Sequence, residues 1–151
     1  MSGIAFNAVI EDLSLSSSAD KTALQLVAAA NHRVLVRKIS IAGKGNTAGD
    51  TPVHFQILTQ TSAGTASALT LQKVNAGDDE TLQTTAQKTF SAEPTDSGAV
   101  KKSINVHPQS RAEIIFPPGR ELVLAGGARL GIKAISPAQT SVFTFDVECE
   151  E

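Results

Sequence analysis

Short runs of alternating apolar and polar residues, separated by glycine- and proline-rich breaks, constrain this chain more than any other feature. The alternation is clearest in segments 52–59 and 141–147. A period of two places every second side chain on the same side of an extended strand, so one face can be buried while the other meets solvent. Each of these runs therefore predicts a half-buried β-strand.

Similar runs recur at intervals of about ten residues, the strand spacing typical of sandwiches and barrels. The predicted strands are Ile4–Ile10, Leu24–Val27, Arg33–Ala42, Val53–Thr61, Ala68–Val74, Gln87–Phe90, Val100–His107, Ala112–Phe116, Glu121–Leu124, Arg129–Ile135 and Thr140–Glu148. Segment 22–31 contains strong helix formers, but its apolar run is short and leads directly into β-branched residues. We therefore interpret Leu24–Val27 as a strand and residues 28–31 as a tight connection. Segment 81–98 is polar and predicts a long excursion across one end of the molecule. The fold class predicted is all-β, an antiparallel β-sandwich that is jelly-roll-like.

The chain of 151 residues fits a single domain. Residues 1–20 are interpreted as an N-terminal strand or arm with a serine-rich loop, and residues 21–151 as one β-sandwich domain. Trp and Tyr are absent and only 4% of the residues are aromatic. The core must therefore be built from Val, Ile, Leu and six Phe. Because such a core has few large anchors, we expect an oligomer interface that buries more apolar surface.

The charge and hydropathy patterns argue against two classes of partner. The net charge is −2, and the only basic clusters are Lys101-Lys102 and the alternating set at 33–38. Nucleic acid is not expected as a partner, since phosphate binding needs a concentrated basic face. The sequence lacks a run of about twenty apolar residues, so no membrane partner is expected. The first residues do not have the pattern of a signal peptide, which predicts a protein made and kept in a cytoplasm until it meets its partner.

The residue patterns do not predict a catalytic, cofactor or metal site. His32, His54 and His107 are far apart in the sequence, without the close spacing that metal-binding jelly rolls need. The glycine-rich segment 43–47 lacks the residue order of a phosphate-binding loop, and no serine lies in a GxSxG pattern. Cys149 continues the alternation of apolar positions and is predicted to be a small buried hydrophobe. We therefore expect a protein that is not an enzyme.

Several segments together resemble small virion structural proteins of tailed bacteriophages. They are TPVHFQILTQTSAGTA at 51–66, HPQS at 107–110, PPGRE at 117–121, GGARLGI at 126–132 and the terminal Glu150-Glu151. The resemblance extends from about Thr22 to the end of the chain, and it lies in the order and spacing of these segments. It implies a capsid decoration (cement) protein: a jelly-roll or TNF-like homotrimer on the outside of the phage head, with the major capsid protein as its partner. The protein would be made in the bacterial host's cytoplasm and reside on the virion's capsid surface.

Two other functions fit the sequence. One is a phage tail- or fibre-associated module that binds a receptor or carbohydrate. The other is a cellular TNF-like or lectin-like domain, which the missing secretion signal disfavours. Sugar sites usually stack a pyranose ring on Trp or Tyr, and this chain has neither.

Two sets of apolar residues are candidates for contacts with other chains. The predicted arm, which would contact the capsid or a neighbouring subunit by strand addition, consists of Ile4, Phe6 and Ile10. The predicted trimer interface consists of Phe143, Phe145 and Val147. The alternative for both sets is an ordinary place in the chain's own sandwich, and for the second set base rates favour that alternative.

Overall fold

The computed structural model describes residues 3–45, 49 and 51–151, and these residues form two antiparallel six-stranded sheets without a helix. The strands are β1 (Ala5–Leu15), β2 (Lys21–Val27), β3 (Val34–Gly43), β4 (Val53–Gln60), β5 (Thr65–Leu69), β6 (Gln72–Lys73), β7 (Thr85–Ala92), β8 (Asp96–Val106), β9 (Arg111–Ile115), β10 (Leu122–Leu124), β11 (Arg129–Ile135) and β12 (Ser141–Glu150). The predicted all-β class and antiparallel sandwich are confirmed.

The strand order pairs the beginning of the chain with its end. The first sheet runs β10–β3–β12–β1–β6, with β9 also paired to β3, and the second runs β5–β7–β2–β11–β4–β8. Thus β1 pairs with β12, β2 with β11, β3 with β9 and β10, and β4 with β8. From β1 to β4, successive strands alternate between the two sheets. The first four strands therefore pair mainly with strands from the second half of the chain, and the two sheets face each other across one core.

The alternation read from the sequence builds that core. Along β12, every second residue from Ser141 to Cys149 is buried and the residues between them are partly exposed. Phe55 of one sheet meets Phe143 and Phe145 of the other nearly edge-on, with ring centroids 5.1 and 5.7 Å apart. Edge-to-face contacts bring the positive rim of one ring to the negative face of another, which adds to the stabilisation from apolar burial.

Three predictions about the elements were wrong in detail. The first strand does not end at Ile10 but continues to Leu15, past an irregularity between Ile10 and Leu13. The predicted strand Ala68–Val74 is divided between β5 and β6. The polar segment 81–98 contains all of β7 and the start of β8 instead of one long excursion. Segment 81–98 has only two large apolar side chains, Leu82 and Phe90, so its pairing partners decide its conformation.

Candidate functional site

The residues of the predicted arm lie inside the chain's own sandwich. β1 lies between β12 and β6, and Phe6 is opposite Cys149 in the register. Phe6 is fully buried, and Ile4 and Ile10 are 6% and 2% exposed. These side chains thus occupy the position given by the alternative interpretation, and the folded chain leaves them almost no surface for a contact with a neighbour.

The residues of the predicted trimer interface also lie in the core. Phe143, Phe145 and Val147 each have no exposed surface, and both rings pack against Phe55 of the opposite sheet. A contact between these atoms and another chain would require the two sheets to separate. The surfaces available for interaction are therefore the outer faces of the sheets and the open edges of the sandwich.

The titratable residues considered for chemistry do not come together in a site. His54 Nε2 contacts Ser103 Oγ, and His107 Nδ1 accepts a hydrogen bond from the Gln109 amide at 3.1 Å. Within the described ranges, no group of three or more His, Cys, Asp or Glu side chains is placed to hold a metal ion. Cys149 is buried, as its alternation phase predicts, and burial raises the pKa of its thiol far above the ordinary value. A thiol in that state is unreactive.

A network of polar side chains links neighbouring strands of the second sheet to one another and to the turn at Ser62. Gln25, fully buried on β2, donates to Gln60 Oε1 at 2.8 Å and to the Ser62 carbonyl at 2.9 Å. Gln60 in turn donates to Asp96 Oδ1 at 3.1 Å, and Lys133 donates to Asp96 Oδ2 at 2.6 Å. Burial lowers the pKa of Lys133, but the bond to Asp96 and the nearby carboxylates outweigh it and raise the pKa above the ordinary value. The network satisfies most of its buried polar atoms, with Gln25 Oε1 left without a partner among the described residues, and this is a structural role.

The outer face of the first sheet carries ion pairs and one carboxylate, that of Asp146, whose negative charge is disfavoured by its surroundings. Lys38 contacts Glu148 at 3.2 Å and Glu113 at 3.7 Å. Asp146 lies beside them, and its Oδ1 has no hydrogen-bond partner among the described residues. Burial, followed by the negative charge of Glu148, raises the pKa of Asp146 above the ordinary value.

The most distinctive surface is a groove on the open side of the sandwich, between β8 of one sheet and β9 and β10 of the other. It is open to solvent and has a volume of about 410 Å³. We call it the basic groove, because its rim carries cations and no carboxylate lines it. The rim residues are Lys101, Lys102 and Arg120, and the apolar floor includes Ile114, Ile115 and Leu122. A groove of this size, with an apolar floor and polar groups confined to its rim, is typical of a binding site.

Only part of the basic groove is visible in the sequence. The pair Lys101-Lys102 stands out as a basic cluster. Arg120 and the apolar floor come from the other sheet and join the lysines only because β8 and β9–β10 border the same opening. Ile115 is 67% exposed at the edge of a sheet, and the alternation pattern alone does not predict that exposure.

Comparisons with protein-family models, with curated proteins and with solved structures find no match for this chain. In the part of the chain that the structure describes, no helix is long and apolar enough to cross a membrane.

Proposed function

We propose that this protein is a capsid decoration protein: a homotrimer that binds the major capsid protein on the outside of an assembled bacteriophage head and stabilises the shell. It acts on the virion surface after synthesis in the host cytoplasm, and it performs no catalysis. Its activity is to present a rigid surface in several copies. The proposal begins from the sequence resemblance to small virion structural proteins.

The observation that carries the proposal is the order of the strands. A jelly roll is an antiparallel ribbon rolled into two facing sheets, built from eight principal strands. The pairs β1–β12, β2–β11, β3 with β9 and β10, and β4–β8 follow that scheme. The remaining strands, β5, β6 and β7, extend the edges of the sheets. This order supports a jelly roll, the fold that the resemblance implies.

The segments that carry the resemblance supply further support, because three of them form turns between strands. The Ser110 amide donates to the His107 carbonyl at 2.9 Å, and the Arg120 amide to the Pro117 carbonyl at 2.9 Å. The Ala128 amide closes a third turn by donating to the Ala125 carbonyl at 3.0 Å. Turns determine where the exposed loops of a sandwich project, so these segments shape the surface available to a partner.

Binding to the assembled shell stabilises it by mass action. A ligand that binds the assembled state and not the dissociated subunits contributes about 2.7 kcal/mol per site at a hundredfold excess over its dissociation constant. A trimer that engages three equivalent capsid subunits gains further, because the second and third contacts form at high effective concentration. Weak single contacts are therefore sufficient for a stable coat.

The test is co-sedimentation of the purified protein with phage capsids that lack decoration. We expect saturable binding to assembled capsids, no binding to dissociated capsid protein, and a higher melting temperature for the decorated capsids. A protein that stays in the supernatant with capsids of several phages, but binds host cells or glycans, would contradict the proposal and support the receptor-binding alternative.

A further inference from the structure

The rim of the basic groove consists of cations that have no internal partner. Lys101 and Lys102 are exposed on β8, and Arg120 is exposed in the turn before β10. None of the three forms an ion pair with a described residue, whereas Lys38, Lys133 and Arg37 all do. The groove therefore presents uncompensated positive charge around an apolar floor, and it fits an acidic partner that also carries an apolar side chain.

A segment with those properties lies at the opposite edge of the same sheet. Residues 74–80, which we call the acidic loop, follow β6 directly. The loop begins with Val74, which is 63% exposed, and it includes the exposed carboxylates of Asp79 and Glu80. Neither carboxylate forms an ion pair within the described part of the chain. The loop thus offers an apolar side chain that could cover the groove floor and the negative charge that the groove rim lacks.

The acidic loop is held in a defined shape. Asn75 donates to Asp78 Oδ1 at 2.9 Å, and the Gly77 amide donates to Asn75 Oδ1 at 3.1 Å. Lys73 donates to the carbonyl oxygen of Asp78 at 2.7 Å and also to that of Glu80. Since Lys73 bonds to backbone carbonyls, the carboxylates of Asp79 and Glu80 remain available. A preorganised loop loses less conformational entropy when it binds.

The register places the groove and the loop at the same level of the sheet. One row of paired residues crosses five of the six strands of the first sheet, from β10 through β3, β12 and β1 to β6. It consists of Leu122, Val36, Cys149, Phe6 and Lys73. The adjacent row begins at Ile115 and ends at Gln72. The groove floor and the start of the acidic loop are thus the two ends of the same rows, about 19 Å apart across four strand spacings.

We propose that the basic groove of one subunit binds the acidic loop of a second copy of this chain, and that this head-to-tail contact closes the homotrimer. The number of subunits, three, is taken from the proposed function, on which the inference rests in this respect. Val74 packs on the apolar floor near Ile115, while Asp79 and Glu80 face the cations of the rim.

The geometry favours a ring. Because the two surfaces are different patches on opposite edges, each copy has one groove and one loop, and the contact is heterologous. Heterologous contacts give closed rings when successive copies are related by rotation alone, and filaments when a rise is added. Groove and loop lie at one level along the strands, so successive copies need no rise and the assembly closes around an axis roughly parallel to the strands.

Charge-reversal variants of the full chain test the contact, with size-exclusion chromatography and light scattering to measure mass. Lys101→Glu/Lys102→Glu makes the groove acidic, and Asp79→Lys/Glu80→Lys makes the loop basic. Each variant places like charges opposite each other, so we expect its trimer to dissociate at concentrations about tenfold or more above those for the wild type. The variant with all four substitutions restores opposite charges and should again be trimeric.

The matched control is Arg33→Glu/Lys88→Glu, which changes the net charge as much as the groove variant does. Both residues lie outside the groove and the acidic loop, and neither forms an ion pair with a described residue. This variant should remain trimeric. Circular dichroism melting curves verify that every variant is folded, so that loss of the trimer reports on the contact.

Two results would overturn the inference, and each can be distinguished from a failure of the proposed function. If the wild type and both reversal variants are equally stable trimers, the subunit contact lies elsewhere, and binding to capsids is unaffected. If the wild type is monomeric and the groove variant alone loses co-sedimentation with capsids, the groove binds an acidic segment of the capsid protein instead of a second copy.

Discussion

Gly131 lies near the centre of the second sheet, where a side chain would collide with Gln60. A Cβ atom at this position would be 2.5 Å from the Gln60 amide. The missing side chain lets Gln60 lie across β11 towards β2, where it donates to Thr22 Oγ1 and accepts a hydrogen bond from Gln25. At the scale of single residues, a glycine thus makes room for the polar network that links β2, β4, β8 and β11.

Gly43 at the end of β3 makes a closer approach, and its substitution should be more damaging. A Cβ atom there would lie 2.0 Å from the Pro108 carbonyl oxygen, a backbone atom that cannot turn aside. We expect Gly43→Ala to lower the free energy of unfolding by about 1–3 kcal/mol, as overpacking does. Urea denaturation at one protein concentration measures the change. Gly77→Ala is the control, because its closest contact is the Asn75 side chain at 3.3 Å.

Asp146 should make the folded protein less stable as the pH rises, the opposite of the usual effect of a carboxylate. Its pKa is higher in the folded chain than in the unfolded one, because burial and Glu148 oppose its charge. The folded state therefore binds the proton more tightly, and this contribution to stability is present at low pH and is lost as pH rises through the folded pKa. We expect Asp146→Asn to raise the melting temperature relative to wild type at about pH 7, with a smaller gain at about pH 3.

The comparison for Asp146 is Glu11→Gln, which removes the same charge at an exposed position of β1. Its melting temperature should follow that of the wild type at both pH values. If Asp146→Asn destabilises the protein at neutral pH, a partner stabilises the carboxylate. Our interpretation that burial and Glu148 disfavour its charge would then be wrong.

At the scale of elements, β1 is part of the sandwich. Its backbone pairs with β12 over most of its length and with β6 on the other side. Ile4 and Glu151 also exchange two backbone hydrogen bonds, of 2.9 and 3.0 Å. Removing residues 1–18 would therefore take away a central strand, and that truncation cannot separate a capsid-binding arm from the fold.

Paired substitutions along β1 test which face supports the core. Phe6 is fully buried, whereas Val9 points outward and is 38% exposed. We expect Phe6→Ala to cost about 3–5 kcal/mol of unfolding free energy, from lost burial and the cavity that remains. Val9→Ala should cost less than about 1 kcal/mol. Similar losses for both variants, measured by denaturant unfolding, would contradict the strand phase.

The elements also show where sequence reasoning succeeds and where it fails. β11 was predicted from Arg129 to Ile135 and has those bounds, because strong alternation follows a Gly-Gly turn. β2 forms a strand although its residues include good helix formers, since it lies between β7 and β11 and is buried on both faces. In β5–β7 the pattern is weak, and only the neighbouring strands determine the pairing.

At the scale of the whole molecule, the two open edges of the sandwich differ in charge. The basic groove lies between β8 and β9–β10, and the acidic loop follows β6 at the other end of the first sheet. A net charge of only −2 conceals this polarity. In the proposed head-to-tail assembly, this polarity would give the contact its direction.

An assembly held by these edges should weaken with salt. Exposed charges interact over about 10 Å at 0.1 M salt and over about 3 Å at 1 M. We expect the dissociation constant of the trimer to rise several-fold between about 0.05 and 0.5 M NaCl, measured by sedimentation equilibrium. Lys101→Gln/Lys102→Gln should show a shallower dependence. A trimer that is indifferent to salt would indicate an apolar contact at another surface.

The sequence by itself determined the class of fold, most of the strands and the burial of Cys149. It could do so because side-chain direction in a strand follows a local period of two, which is written in consecutive residues. Only the tertiary structure decided which strands pair, that Phe6 and Phe145 are covered by the chain's own second sheet, and that Arg120 joins Lys101 and Lys102 around one groove. These features depend on contacts between residues distant in the chain, and no local pattern specifies which distant segments become neighbours.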